Sequence, residues 1–111
     1  MMFVREHEID STRTWQTVGM HDGAQVLAPH WAGDKLILPC IEDDSRDEVG
    51  ETVWIVRADQ GLDEAFEKAE FAYIGSAVRT GILGVPEAVY VFVELAPERP
   101  VRRVTHPDLL K

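Results

Sequence analysis

The stretch "AQVLAPHWAGDKLILPCIE" (24–42) constrains the fold more than any other part of the chain. Gly33-Asp34 stands between two mostly apolar runs, and a Gly-Asp pair in that position is a two-residue hairpin turn. Facing residues then pair Trp31 with Leu36, His30 with Ile37 and Pro29 with Leu38. Side chains alternate along a strand, so Leu27, Pro29, Trp31, Leu36, Leu38 and Cys40 share one face. Val26, Ala28, His30, Ile37, Pro39 and Ile41 share the other. Both faces are mostly apolar. Such a hairpin lies inside a two-sheet core, or carries a core on one side and an interface on the other, and a homodimer is the expectation. Pro29 and Pro39 each lack a ladder donor, which predicts a bulge or an edge in this region.

The remaining segments are short and set off by turn signals. "FVREHEI" (3–9) places Val4, Glu6 and Glu8 on one side and Phe3, Arg5, His7 and Ile9 on the other, the pattern of a half-exposed edge strand. "RTWQTVGM" precedes an Asp22-Gly23 turn. "EDDSRDEVGE" (42–51) reads as an acidic loop, and "TVWIVRA" (52–58) as a strand with Trp54 in the core. In "LDEAFEKAEF", Leu62, Ala65, Phe66 and Ala69 fall at helical spacing and Glu64 pairs with Lys68, predicting one short α-helix at about 62–70. "FAYIGSAV" and "EAVYVFVEL" return to strand. The pattern predicts a mainly β domain over residues 1–96, followed by an extended tail at 97–111. Its architecture is a compact antiparallel β-sandwich or rolled sheet of six to eight strands, because short strands bury their faces best against a second sheet.

Composition excludes several function classes. With 111 residues, 45% of them hydrophobic, the chain can bury one core. No apolar run approaches membrane-spanning length and charge appears by the fifth residue, so the expectation is a soluble, cytoplasmic protein. A net charge of −9 argues against direct nucleic-acid binding, which needs Lys and Arg to displace counterions. Residues 42–70 hold eleven acids against three bases. Asp43, Asp44, Asp47, Glu48 and Glu51 miss the calcium-loop pattern and are expected to form a solvated acidic surface. Such a surface can imitate DNA phosphates toward a basic partner.

Gly75, Gly81 and Gly84 lack the Lys-Ser or Lys-Thr pair of a phosphate loop, and a strand rather than a helix follows them. They read as a connection between strands, with Arg79 leaving an anion contact open. The histidines share no close metal-ligand spacing, and no metal or other cofactor is expected. Cys40 and His30 point to opposite faces, and no activated nucleophile is marked. Cys40 is expected to be buried and inert, and the chain not to be an enzyme. Trp31, beside His30 and the Gly33 turn, is the first contact candidate, since Trp is enriched at binding hot spots. Trp15 is a second.

The order "TWQTVGMHDGAQVLAPHWAGDKLIL", a strand ending in "WIVRA", then "FAYIGSAV" before "VYVFVEL", resembles small phage- and prophage-encoded β-proteins of unknown function over about residues 7–95. The acidic loop and the helix are insertions relative to that pattern. The resemblance implies an accessory phage protein, a group in which host-directed binding and counter-defence are common, and it carries over no catalytic residues. The leading expectation is a non-enzymatic protein that binds a host or phage protein in the host cytoplasm. The alternative is binding or sequestration of a small nucleotide-like ligand through Arg79, Tyr73 and the glycine loop. A third is an acidic DNA mimic.

Overall fold

The computed structural model describes residues 1–62, 64–81 and 83–95. Eight strands occur among them: β1 (Met2–Ile9), β2 (Trp15–His21), β3 (Gln25–Val26), β4 (His30–Ala32), β5 (Lys35–Asp43), β6 (Glu48–Arg57), β7 (Phe71–Thr80) and β8 (Pro86–Glu94). One helix, α1 (Glu64–Lys68), lies between β6 and β7. The fold is mainly β, with two antiparallel sheets and this one short helix, as the turn-punctuated strands predict. The expected tail at 97–111 lies outside the described residues. No helix among the described residues is long and apolar enough to cross a membrane.

In the first sheet β5 is central, with β1 on one side and β3 and then β4 along the other. The second sheet has the order β2-β6-β8-β7. The hairpin register holds, with Trp31 opposite Leu36 and His30 opposite Ile37. Farther along β5, Gln25 opposes Ile41 and Val26 opposes Cys40, one residue out of step with the β4 pairing. The extra residue falls at 27–29, beside Pro29 and Pro39, where a bulge relieves the missing donors. Leu27 N–H still reaches the Pro39 carbonyl at 2.8 Å.

The core fills the space between the sheets. Leu36, Leu38 and Cys40 of β5 meet Met20 of β2, Val53 and Ile55 of β6, Ile74 and Ala77 of β7, and Val89, Val91 and Val93 of β8. Each fully buried aliphatic side chain contributes about 1.5–3 kcal/mol by leaving water. Trp54 is buried as expected, and only its face is corrected: Val53 and Ile55 take the inner face of β6, so alternation turns the indole outward. There it is covered by Phe66 of α1 at 5.3 Å and Phe71 at 5.8 Å between ring centroids. Phe92 and Tyr73 extend this second apolar layer. The amphipathic helix thus caps the outside of the second sheet.

The acidic segment is also corrected. β5 runs through Asp43 and β6 begins at Glu48, so the loop shrinks to the turn at residues 44–47. Glu42 and Glu51 lie on inward-facing strand positions and are buried. Glu51 therefore does not belong to the acidic surface. Asp44, Asp47 and Glu48 are exposed and Asp43 is half-buried.

Candidate functional site

Two polar constellations close opposite ends of the core, and β5 supplies the axis between them. At one end Trp31 of β4 lies opposite Leu36 and packs against the core. The Arg79 guanidinium sits over the Trp31 ring, 3.8 Å from its centroid. Arg79 Nε also donates to Glu87 Oε2 at 2.9 Å, directly across the β7–β8 ladder.

A bulge in β7 produces this placement. Tyr73 pairs with Phe92, but the next paired residue, Gly75, opposes Val91, so one residue is extra. The extra residue reverses side-chain parity. Phe71 and Tyr73 face outward, whereas Ala77 and Arg79 face the core side. Arg79 and Tyr73, paired as ligand contacts by the sequence reading, are thus placed on different faces. Trp15 is half-exposed near Trp54, 6.4 Å between centroids, on the outer layer with Tyr73. His30 is exposed, with Nε2 3.8 Å from Glu6. Of the five contact candidates, the structure brings together only Trp31 and Arg79.

A cleft of about 650 Å³ opens beside this pair, lined by Gly33, Asp34, Arg79, Gly81, Leu83, Val85 and Glu87 among others. Gly81 and Gly84 lie in the β7–β8 turn, as expected of a connection, whereas Gly75 falls inside β7 and is a strand residue rather than part of that connection. Gly81 N–H donates to the Val85 carbonyl and Gly84 N–H to the Gly81 carbonyl. Gly84 has φ +75°, which glycine adopts without strain. Leu83 is 90% exposed and Val85 62%. Arg79 is already committed to Glu87 and Trp31, which weakens it as an anion contact. Trp31 Nε1 is buried with no hydrogen-bond partner among the described residues.

The other end is built around Glu42, whose side chain is fully buried. It continues the inward series Leu36, Leu38, Cys40. His7 of β1 reaches Glu42 Oε2 through Nε2 at 2.6 Å. His21, at the end of β2 in the opposite sheet, reaches Oε1 twice, through Nδ1 at 2.7 Å and its backbone N–H at 2.9 Å. Arg5 bridges Glu42, at 3.5 Å, and Glu48, at 3.0 Å. Burial pushes the Glu42 carboxyl up, but the His21 backbone N–H and the two rings outweigh it and hold the carboxyl below the usual glutamate range. An ionised carboxylate only accepts, so His7 Nε2–H and His21 Nδ1–H both donate. Hydrogen bonding to Glu48 raises the Arg5 guanidinium further above its ordinary value.

Cys40 lies on the same inner face, buried as expected. Burial, with the nearby Glu42 charge, pushes its thiol up to about 12, so it is not an activated nucleophile. His7, Cys40 and Glu42 each bring one ligating atom within 4.8 Å of the others.

Sequence reasoning did not assemble this second constellation. Its signal was present in the alternation: Arg5 and His7 share a face with Phe3 and Ile9, and Glu42 follows Cys40 at the inward parity of β5. Comparison with models of protein families, with curated proteins and with solved structures finds no match.

Proposed function

We propose that the chain is a non-enzymatic binding module, of the accessory phage-type kind, that seats a host or phage protein on the cleft between the β4–β5 and β7–β8 turns. Leu83 carries this reading. It stands 90% exposed on a turn braced by two backbone hydrogen bonds, with Val85 beside it. Backbone hydrogen bonds within a turn lower the cost of ordering the apolar side chains on it, the condition under which small apolar anchors contribute to affinity. Arg79, braced from behind by the Trp31 ring, lines one wall, and Arg is a type enriched where partners bind. The reading places the protein in the host cytoplasm and needs no cofactor at the cleft. The acidic turn, Asp44, Asp47 and Glu48, is then a steering surface remote from the contact.

The volume of the cleft favours a second reading. About 650 Å³ falls within the range of small-molecule sites, so a nucleotide-like ligand is the alternative occupant. Site-specific photo-crosslinking separates the two. A photoreactive residue at position 83 is expected to give a discrete protein adduct in lysate of the natural host, whereas one at Ser45, at the far end of β5, gives none. Val85→Glu should abolish the adduct without lowering Tm. Equal or absent adducts at both positions defeat the protein-binding reading. A dose-dependent rise in Tm with a mononucleotide, lost in Arg79→Ala, transfers the cleft to the ligand reading.

A further inference from the structure

The Glu42 end holds a donor set that neither reading of the cleft uses. Three side chains of different chemistry converge there: an imidazole from His7, a thiol from Cys40 and a carboxylate from Glu42, with ligating atoms within 4.8 Å of one another and all three residues buried. His7 and Cys40 come from adjacent antiparallel strands. Arg5 opposes Cys40 and His7 opposes Leu38, so His7 is the diagonal neighbour of Cys40 on the inner face. Glu42 lies one inward step farther along β5. The 32 residues between His7 and Cys40 hide this site from any search for close ligand spacing.

We propose that His7, Cys40 and Glu42 bind one divalent transition-metal ion of the zinc class. The chemistry of the set selects the metal. Nitrogen, thiolate sulfur and a single carboxylate oxygen suit zinc. Calcium and magnesium need several oxygens, and only one carboxylate is offered.

The two oxygens of Glu42 are differentiated in the way a ligating carboxylate requires. Oε2 faces His7, while Oε1 is held by His21 Nδ1–H, the His21 backbone N–H and Arg5. Outer groups that bind the non-ligating oxygen orient the ligating one. Ligands about 2.0–2.3 Å from zinc lie farther apart than a hydrogen bond, so the 2.6 Å His7–Glu42 contact must open as the ion enters. β1 is an edge strand and can yield. Binding forms Zn–N, Zn–S and Zn–O bonds with water in the fourth position. The Cys40 thiol proton leaves to solvent, and the His7 Nε2 proton that faced Glu42 leaves as well, the neutral ring keeping its proton on Nδ1 so that Nε2 can ligate. The two ligand charges then balance the ion, which makes burial tolerable.

The test uses cobalt(II) as the probe. The chain has one cysteine, so a thiolate-to-cobalt charge-transfer band in the near ultraviolet can arise only from Cys40. Chelator-treated protein titrated with cobalt(II) is expected to develop that band, with visible bands of tetrahedral intensity, saturating at one ion per chain and bleached by one equivalent of zinc. Cys40→Ser should lose the charge-transfer band, and His7→Gln should weaken binding, in variants whose circular dichroism matches the parent. His21→Ala removes only an orienting group, so it should keep the band and bind about 10–100-fold more weakly. If the variants fail to fold, the band in the parent protein still decides. Absence of the band at saturating cobalt(II), or binding that reports no sulfur ligand, overturns the proposal.

Discussion

A carboxylate loses several kcal/mol of hydration on burial, and only close charge-assisted partners offset that loss. Glu42 has such partners on both oxygens, from two sheets: His7 on Oε2, and His21, through ring and backbone, on Oε1. It therefore ties the sheets together at one end of the core as well as filling it. Truncation would leave the buried His7 ring donor, and the half-buried His21 ring and backbone N–H, without their acceptor. Glu42→Ala is expected to cost about 3–5 kcal/mol in metal-free urea unfolding, the scale for breaking a buried charged pair. Glu42→Gln should cost less, because its amide oxygen still accepts from one side. A loss below about 1 kcal/mol for Glu42→Ala would mean that water or relaxation replaces the carboxylate, and that this cluster does not join the sheets.

At the level of elements, the sequence was most legible where turn chemistry and alternation agreed. Gly33-Asp34 set the β4–β5 register residue by residue, and the prolines marked where β3 and β4 fall out of step along β5. Three features escaped because each depends on a neighbour that periodicity does not show. Trp54 is buried outside the main core because Phe66 of α1 and Phe71 of β7 cover it. The strand character of Glu48–Glu51 arises from pairing with β2, with Glu51 opposite Val18. The reversal of parity in β7 comes from the bulge, which separates Tyr73 from Arg79 and lays Arg79 on Trp31. Gly75 permits that bulge: its φ is +156°, and a Cβ there would meet Pro29 Cδ at 3.1 Å and Ala28 Cβ at 3.5 Å. Gly75→Ala must strain the backbone and push against the β3–β4 connection, at an expected cost of about 1–3 kcal/mol. Ser76→Ala, at the next and exposed position, should stay within about 0.5 kcal/mol. Equal chemical-denaturation midpoints for the two variants would show that the close approach of β7 to Pro29 does not constrain the fold.

For the whole molecule, the unresolved demand of the hairpin is its second face. Leu36, Leu38 and Cys40 are spent on the core, while Ile37, Pro39 and Ile41 remain half-buried on the outer side of the first sheet. β1 widens that surface, since Val4 stands opposite Ile41 and is 62% exposed, and Met2, opposite Asp43, is 68% exposed. The second sheet has α1 and its aromatic layer over its outer face; among the described residues, no helix covers the first. Glu6, Glu8, His30 and Lys35 lie around this apolar strip and would form a polar rim, the usual arrangement at an interface. A second copy related by a two-fold axis would place strip on strip. Sedimentation equilibrium at tens of micromolar is expected to give a homodimer, and Ile41→Lys, which changes an outward side chain and leaves the core intact, should return it to the 12.5 kDa monomer. A parent protein that sediments as a monomer at that concentration rejects the dimer, and the strip is then ordinary exposed apolar surface of the kind every soluble fold carries.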